Sequence, residues 1–248
     1  MKLSRILLAS SSLVLVNLIG ATTMNTTITV NTLVDENGEN PDACSLREAI
    51  KANNDVLPFG GCVPGDRYLT NTVKLPKGTI TLTHGVLKSA RPIKISGADP
   101  DDHEAINPFI YNSRIRLGVP VSTIDGNGSR IFDTTGGDNS LELQNLNIRN
   151  GKADHGGAIL AGGTVTATRT FFLNNTATGD GGAIYMSGPN SAVTLKTVQF
   201  EGNDAPRGAV MAMSCMDNLV DTSRVLDLES SSFIRNGSDK ALSVIESC

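Results

Sequence analysis

The chain of 248 residues has no tryptophan, three tyrosines and an aromatic content of 4%. Binding clefts for sugars and other small ligands are commonly lined with aromatic faces, so this scarcity tells against such a cleft. Positive charge is also short. Lys and Arg number 21 against 25 Asp and Glu, a formal charge of −4, with no basic patch. That excludes nucleic acid as an expected partner. A leucine-rich repeat pattern is missing, and so is any sustained helical period. After the first 21 residues no apolar run approaches the about 20 residues that a membrane span needs.

Glycine is plentiful, at 25 residues, and part of it recurs. His155-Gly156-Gly157-Ala158-Ile159 returns as Asp180-Gly181-Gly182-Ala183-Ile184, then more weakly as Arg207-Gly208-Ala209-Val210 and Asp239-Lys240-Ala241-Leu242. A period between 20 and 50 residues marks a solenoid or array. A second pattern precedes each quartet. Val165, Ala167 and Phe172 match Val193, Leu195 and Phe200, then Leu226, Leu228 and Phe233. Leu141, Leu143 and Ile148 fit the same ruler. Asn175, Asn203 and Asn236 each stand three residues after a Phe, whereas Asn150 comes one residue early after Ile148. Apolar positions two apart are the period of a strand with one buried face. The glycine pairs suit tight turns of positive φ, and the asparagines suit left-handed turn residues.

One such unit cannot bury its apolar face, whereas a stack of units can. The spacings are too long for an 18-residue hexapeptide coil. The fold expected is therefore all-β, a single-domain right-handed parallel β-helix. Stacked Phe172, Phe200 and Phe233 would fill its interior, and Asn175, Asn203 and Asn236 would line one turn. The alternative is a flat array of hairpins, which the lack of hairpin turn dipeptides between the strands disfavours.

Residues 1–21 read as a secretory signal peptide. Lys2 and Arg5 precede the apolar Ile6–Val16 stretch, and Gly20 and Ala21 offer a small-residue cleavage site. The alternative is a membrane anchor, for which the stretch is short. No cysteine follows it, so a bacterial lipid anchor is not indicated. Removing Lys2 and Arg5 leaves 19 basic against 25 acidic residues, a charge of −6. Residues 22–72 read as an N-terminal strand and capping-helix region, with the strand over Thr26 to Leu33. Residues 73–248 read as coils, with Val73–Leu82 and Val86–Ile95 as early ones. The rhythm breaks at 98–120, read as a loop inserted between coils and more mobile than they are, and again at 214–222.

A helix is expected over Ala43–Asn53. Ser45 and Glu48 form a capping box, and Leu46, Ala49 and Ile50 make one apolar stripe. Such a helix would cover the open end of the stack. Cys44-Ser45-Leu46-Arg47-Glu48-Ala49 resembles the signature of the CSLREA family of exported bacterial β-helix proteins, and the run Thr123–Phe132 is similar to that family too. The Gly-Gly-Ala-Ile and Phe-x-x-Asn repeats resemble those of chlamydial polymorphic outer-membrane proteins. The resemblance implies a right-handed parallel β-helix at the cell surface or outside the cell. It implies no catalytic residues.

Candidate chemistry is sparse. Asp99-Pro100-Asp101-Asp102-His103-Glu104 is acidic but lacks the glycine and spacing of a calcium loop, so it reads as a solvated loop; Asp125-Gly126-Asn127-Gly128 resembles half of a calcium loop, and the family resemblance implies a turn between coils there. Asp154-His155 reads as a polar turn with no partner in register. Asn25, Asn127, Asn174 and Asn236 begin glycosylation triplets that matter only in a glycosylating host. Neither a catalytic residue, a metal ligand nor a cofactor is assigned. The function expected is adhesion or binding, secreted or at the cell surface, toward a glycan or protein not identified by the sequence. A carbohydrate-active β-helix enzyme and a structural surface-layer component are the alternatives. Four cysteines allow three pairings. Cys44 with Cys62 brackets the helix and its following loop. Cys215 with Cys248 follows from setting Ala209 against Ala241 in successive coils.

Overall fold

The computed structural model describes residues 27–99, 119–136, 139–188, 191–214, 226–237 and 245–246. The signal-peptide reading, most of the 98–120 insertion, nearly all of the 214–222 insertion, the quartet at 239–242, and Cys215 and Cys248 lie outside these residues.

Strand β1 (Thr27–Thr29) precedes the helix α1 (Leu46–Asp55). A first coil follows through β2 (Asn71–Lys74), β3 (Gly78–Thr81) and β4 (Leu87–Lys88). The second comprises β5 (Ile93–Ser96), β6 (Ser122–Asp125) and β7 (Phe132–Asp133). In the third, the long β8 (Leu141–Arg149) spans two faces, ahead of β9 (Lys152–Ala153) and β10 (Ile159–Ala161). The fourth repeats this with β11 (Val165–Leu173), β12 (Thr176–Ala177) and β13 (Ile184–Met186). A fifth coil has β14 (Val193–Lys196), β15 (Gln199–Glu201) and β16 (Met211–Met213). The last has β17 (Leu226–Glu229), β18 (Ser232–Ile234) and β19 (Ile245–Glu246).

Each coil pairs with the next in parallel, in an eleven-stranded, a six-stranded and a two-stranded sheet. This is a parallel β-helix. Side chains alternate in and out along each strand, so one register relation stacks like residues. One interior column runs Ile80, Ile124, Ile148, Phe172, Phe200, Phe233. The rings of Phe172 and Phe200 stack at 4.9 Å and those of Phe200 and Phe233 at 5.3 Å. Phe172 and Phe200 are fully buried, while Phe233 in the last coil is 36% exposed. The opposite column of the six-stranded sheet is Leu87, Phe132, Ile159, Ile184 and Met211, and Ile245 holds the same backbone register in the last coil.

The corners are columns too. Asn145, Arg169, Thr197 and Ser230 occupy one register position, all with φ between 47° and 57°. Asn150, Asn174, Gly202 and Arg235 form a second such column. The left-handed residue is thus the one before Asn175, Asn203 and Asn236, not those asparagines themselves, which corrects the sequence reading. It also places Asn150 level with Asn174 and Gly151 level with Asn175. The three asparagines turn inward as an amide ladder. Asn175 Oδ1 accepts from Gly151 N (2.9 Å), Asn203 Oδ1 from Asn175 N (3.0 Å), and Asn236 Oδ1 from Asn203 N (3.0 Å). Their Nδ2 groups donate back to the carbonyls of Ile148, Phe172 and Phe200. Each side chain replaces the strand hydrogen bonds that the turn cannot make.

Three other expectations shift. Residues 71–88 form one coil and Ile93–Ser96 opens the next, so Val73–Leu82 and Val86–Ile95 are not separate coils. The 98–120 insertion leaves after β5 and rejoins before β6, inside a coil rather than between coils. Met211 pairs with Ile245, two residues out of step with the ruler that set Ala209 against Ala241. Cys215 and Cys248 themselves lie outside the described residues.

Helix α1 lies at the N-terminal end, against β2 and β4. The whole hexapeptide at its start is packed. Cys44 is joined to Cys62, with Cα atoms 4.6 Å apart. Ser45 caps the helix, its Oγ accepting from Glu48 N and donating to Glu36 O. Leu46 and Ala49 are buried. The buried Glu48 accepts from Ser45 N (2.9 Å) and Gly38 N (2.7 Å). Arg47 grips Asp35 with two hydrogen bonds (2.8 and 3.0 Å) and donates to the carbonyls of Gly85 and Val86 in the first coil. Below the interior columns, Asn71 Nδ2 donates to Asn53 Oδ1 at 2.8 Å.

Candidate functional site

The glycine corner, which leads into the six-stranded sheet, gathers the densest group of reactive side chains. Gly156, Gly181 and Gly208 share one register position, and all have φ between 56° and 67°. Gly182 has a different reason to be glycine, since a Cβ there would lie 2.0 Å from Ala209 O in the next coil. Close approach of these backbones stacks the residues just before them. His155, Asp180 and Arg207 thus form a ladder across three coils.

Asp180 is the centre of it. Arg207 donates to its two carboxylate oxygens at 2.6 and 2.8 Å. His155 Nδ1 lies 3.3 Å from Asp180 Oδ2 and accepts from Asp180 N at 3.1 Å. The His155 ring stacks on Tyr185 with centroids 4.9 Å apart. Below, Arg130 reaches Asp154 Oδ1 (2.6 Å) and the carbonyls of His155 and Gly156. The His155 N–H donated to Asp154, opposed by slight burial and aided by Arg130, holds the Asp154 carboxyl below its ordinary range. Asp154-His155 therefore does have partners in register, contrary to the sequence reading. The signal is the residue before each glycine repeat, His, Asp and Arg in turn.

Chemically the ladder is nearly self-neutralised, each cation facing a carboxylate. His155 Nε2 has no partner among the described residues, and the phenol of Tyr185 is half-buried. Other residues singled out by sequence are spent on structure. Asp125 binds Arg149 Nε (2.8 Å), Asn150 Nδ2 (2.9 Å) and its own turn at Asn127 N (2.9 Å). Asp99 accepts from Asn145 Nδ2 at 3.0 Å, while Asp101–Glu104 lie outside the described residues. Among the described residues no three His, Cys, Asp or Glu side chains converge to hold a metal ion. A groove of about 310 Å³ between α1 and β4 is lined by Arg47, Lys51, Asn54, His84 and Lys88. Arg47 is locked on Asp35 there, and Lys51 pairs with Asp55 while lying over the Phe59 ring.

The outer face of the first strands is polar. Lys94 and Glu142 pair across it (2.6 Å), as do Lys196 and Glu229 (3.7 Å). Between these pairs stand Gln144, Thr166, Thr168 and Thr194, all half-buried. Among the described residues no helix is long and apolar enough to cross a membrane. No curated protein and no solved structure matches the chain. Over residues 169–187, from the corner at Arg169 through the Asn175 turn and the glycine pair to Ser187, the chain is similar to the Chlamydia polymorphic membrane protein repeat.

Proposed function

We propose that this chain is an exported β-helix, displayed at the cell surface or released from it, which binds a glycan or protein ligand by adhesion and does not transform it. The observation that carries the reading is the similarity of residues 169–187 to the polymorphic membrane protein repeat, on a scaffold of stacked coils. Residues 1–21 serve as the export signal in this reading. Support also comes from the way polar side chains are used. The repeated Asn, Asp and Arg groups tie coil to coil, which leaves the polar outer face around Gln144, Thr166, Thr168 and Thr194 for recognition.

The test is a panel of glycans and matrix proteins offered to oxidised recombinant protein lacking residues 1–21. Binding that falls at least several-fold when Thr166 and Thr168 are replaced by Glu, with thermal unfolding unchanged, supports the reading. Folded protein that retains nothing from the panel, or that releases products from a polyuronide, overturns it. The release of products would favour the second reading, a carbohydrate-active enzyme. One observation speaks for that reading: His155 accepts at Nδ1 from Asp180 N, so its neutral ring carries the proton on Nε2, the arrangement of a donor to a leaving oxygen. Loss of product release in His155→Asn, with stability kept, would establish it.

A further inference from the structure

Four Asn–Gly bonds occur in the chain, at 37–38, 127–128, 150–151 and 236–237. This dipeptide is the one most prone to spontaneous loss of its side-chain amide. The glycine nitrogen attacks the asparagine Cγ, ammonia leaves carrying the former Nδ2, and water opens the resulting succinimide to aspartate or isoaspartate. The reaction needs a free glycine N–H and an asparagine side chain able to swing onto it.

Three of the four sites are held at both ends. Gly128 N donates to Asn150 O (3.0 Å) while Asn127 Nδ2 donates to Leu82 O (3.3 Å). Gly151 N donates to Asn175 Oδ1 (2.9 Å) while Asn150 Nδ2 donates to Asp125 (2.9 Å). Gly237 N donates to Asn203 O (2.8 Å) while Asn236 is a rung of the amide ladder. Asn37 differs. It is exposed, and among the described residues its side-chain amide makes no hydrogen bond, so the contact that guards this bond there is Gly38 N donated to Glu48 Oε1 at 2.7 Å.

We propose that Asn37 is the site of spontaneous deamidation in this protein and that the buried Glu48 sets its rate. Conversion places a new carboxylate, or an added backbone methylene, two residues from Asp35, whose clasp on Arg47 ties the cap to the first coil. The site thus acts as a slow, irreversible loosening of the N-terminal cap.

The experiment is incubation of folded, oxidised protein at neutral pH, with peptide mapping by mass spectrometry and isoaspartate detection. Asn37 should convert several-fold faster than Asn127, Asn150 and Asn236, and in urea the four rates should converge. Glu48→Gln keeps one oxygen for the capping box but loses the second acceptor. It should raise the Asn37 rate several-fold while circular dichroism stays that of the native protein. Native rates in which Asn37 is no faster than the other three overturn the proposal. An unchanged Asn37 rate in a folded Glu48→Gln protein does so as well. If that variant does not fold, the comparison of native with urea-unfolded rates decides.

Discussion

At the scale of single residues the interior columns carry the most free energy. Phe200 sits between two parallel rings and has no exposure. Phe200→Ala should lower the unfolding free energy by about 3–5 kcal/mol, read from urea denaturation. A loss below about 1 kcal/mol would be incompatible with a buried ring. Asn203 has a different role. Its Oδ1 accepts from Asn175 N and its Nδ2 donates to Phe172 O, both inside the stack. Asn203→Leu removes an acceptor and a donor at once, and each orphaned backbone group costs about 1–3 kcal/mol. Replacement of Asn203 without measurable loss would mean that water reaches the turn. Asp35 gives a pH signature. Burial acts to raise its carboxyl, but hydrogen bonds from Arg47 and from the His84 and Thr83 amides outweigh it and hold the group below its ordinary range. A lowered folded-state value stabilises the protein above the unfolded value and loses that contribution as pH falls through the folded one. Stability should therefore decline from about pH 4 downward. Asp35→Asn should flatten that decline, as measured by urea midpoints between acid and neutral pH.

At the scale of elements, α1 covers the end of the coil stack with its buried face. An uncovered end would leave core side chains and strand edges open to other chains. The disulfide from Cys44 to Cys62 closes the loop that holds this helix in place. Cys44→Ser with Cys62→Ser should destabilise the protein by about 2–5 kcal/mol. The loss should appear first as faster hydrogen exchange in α1 and β2, and exchange that rises first in β14 and β15 would contradict this. The long strands β8 and β11 show another effect at this scale. Each turns a corner at one left-handed residue, Asn145 or Arg169, without leaving the sheet. Arg169 is an unfavourable residue for positive φ. It is held there because the residues on both sides are locked in register with neighbouring coils.

At the scale of the whole molecule the coils form one continuous core, so coil order and export belong to one account. Export predicts that the native protein begins near Thr22 on N-terminal sequencing. An intact Met1 in a soluble cytoplasmic fraction would refute it. Processing of that kind would also bring the cysteines into an oxidising compartment, where the Cys44–Cys62 bond persists.

The repeat of Phe and Leu at fixed offsets sufficed to show strands, a stacked core and the aromatic column, because strand alternation is local and needs only neighbouring residues. Ser45 and Glu48 announced the helix start for the same reason. The coil boundaries before residue 98 were not legible. There the repeat lacks its Phe and glycine markers, and only pairing of Asn71–Lys74 with Ile93–Ser96 sets the length of the turn. The last register escaped for a related cause, since the offset between the last two coils is 33 residues at Phe200 and Phe233 but 34 at Met211 and Ile245, so one ruler does not serve both sheets. His155, Asp180 and Arg207 were all visible in the chain, yet their meeting was not. They lie in turns whose direction is decided by left-handed glycines and by contact with the coil on either side. By itself the sequence determined which residues face the core and how often they recur. Only the tertiary structure decided which exposed residues face one another, because that depends on how successive corners superpose along the axis.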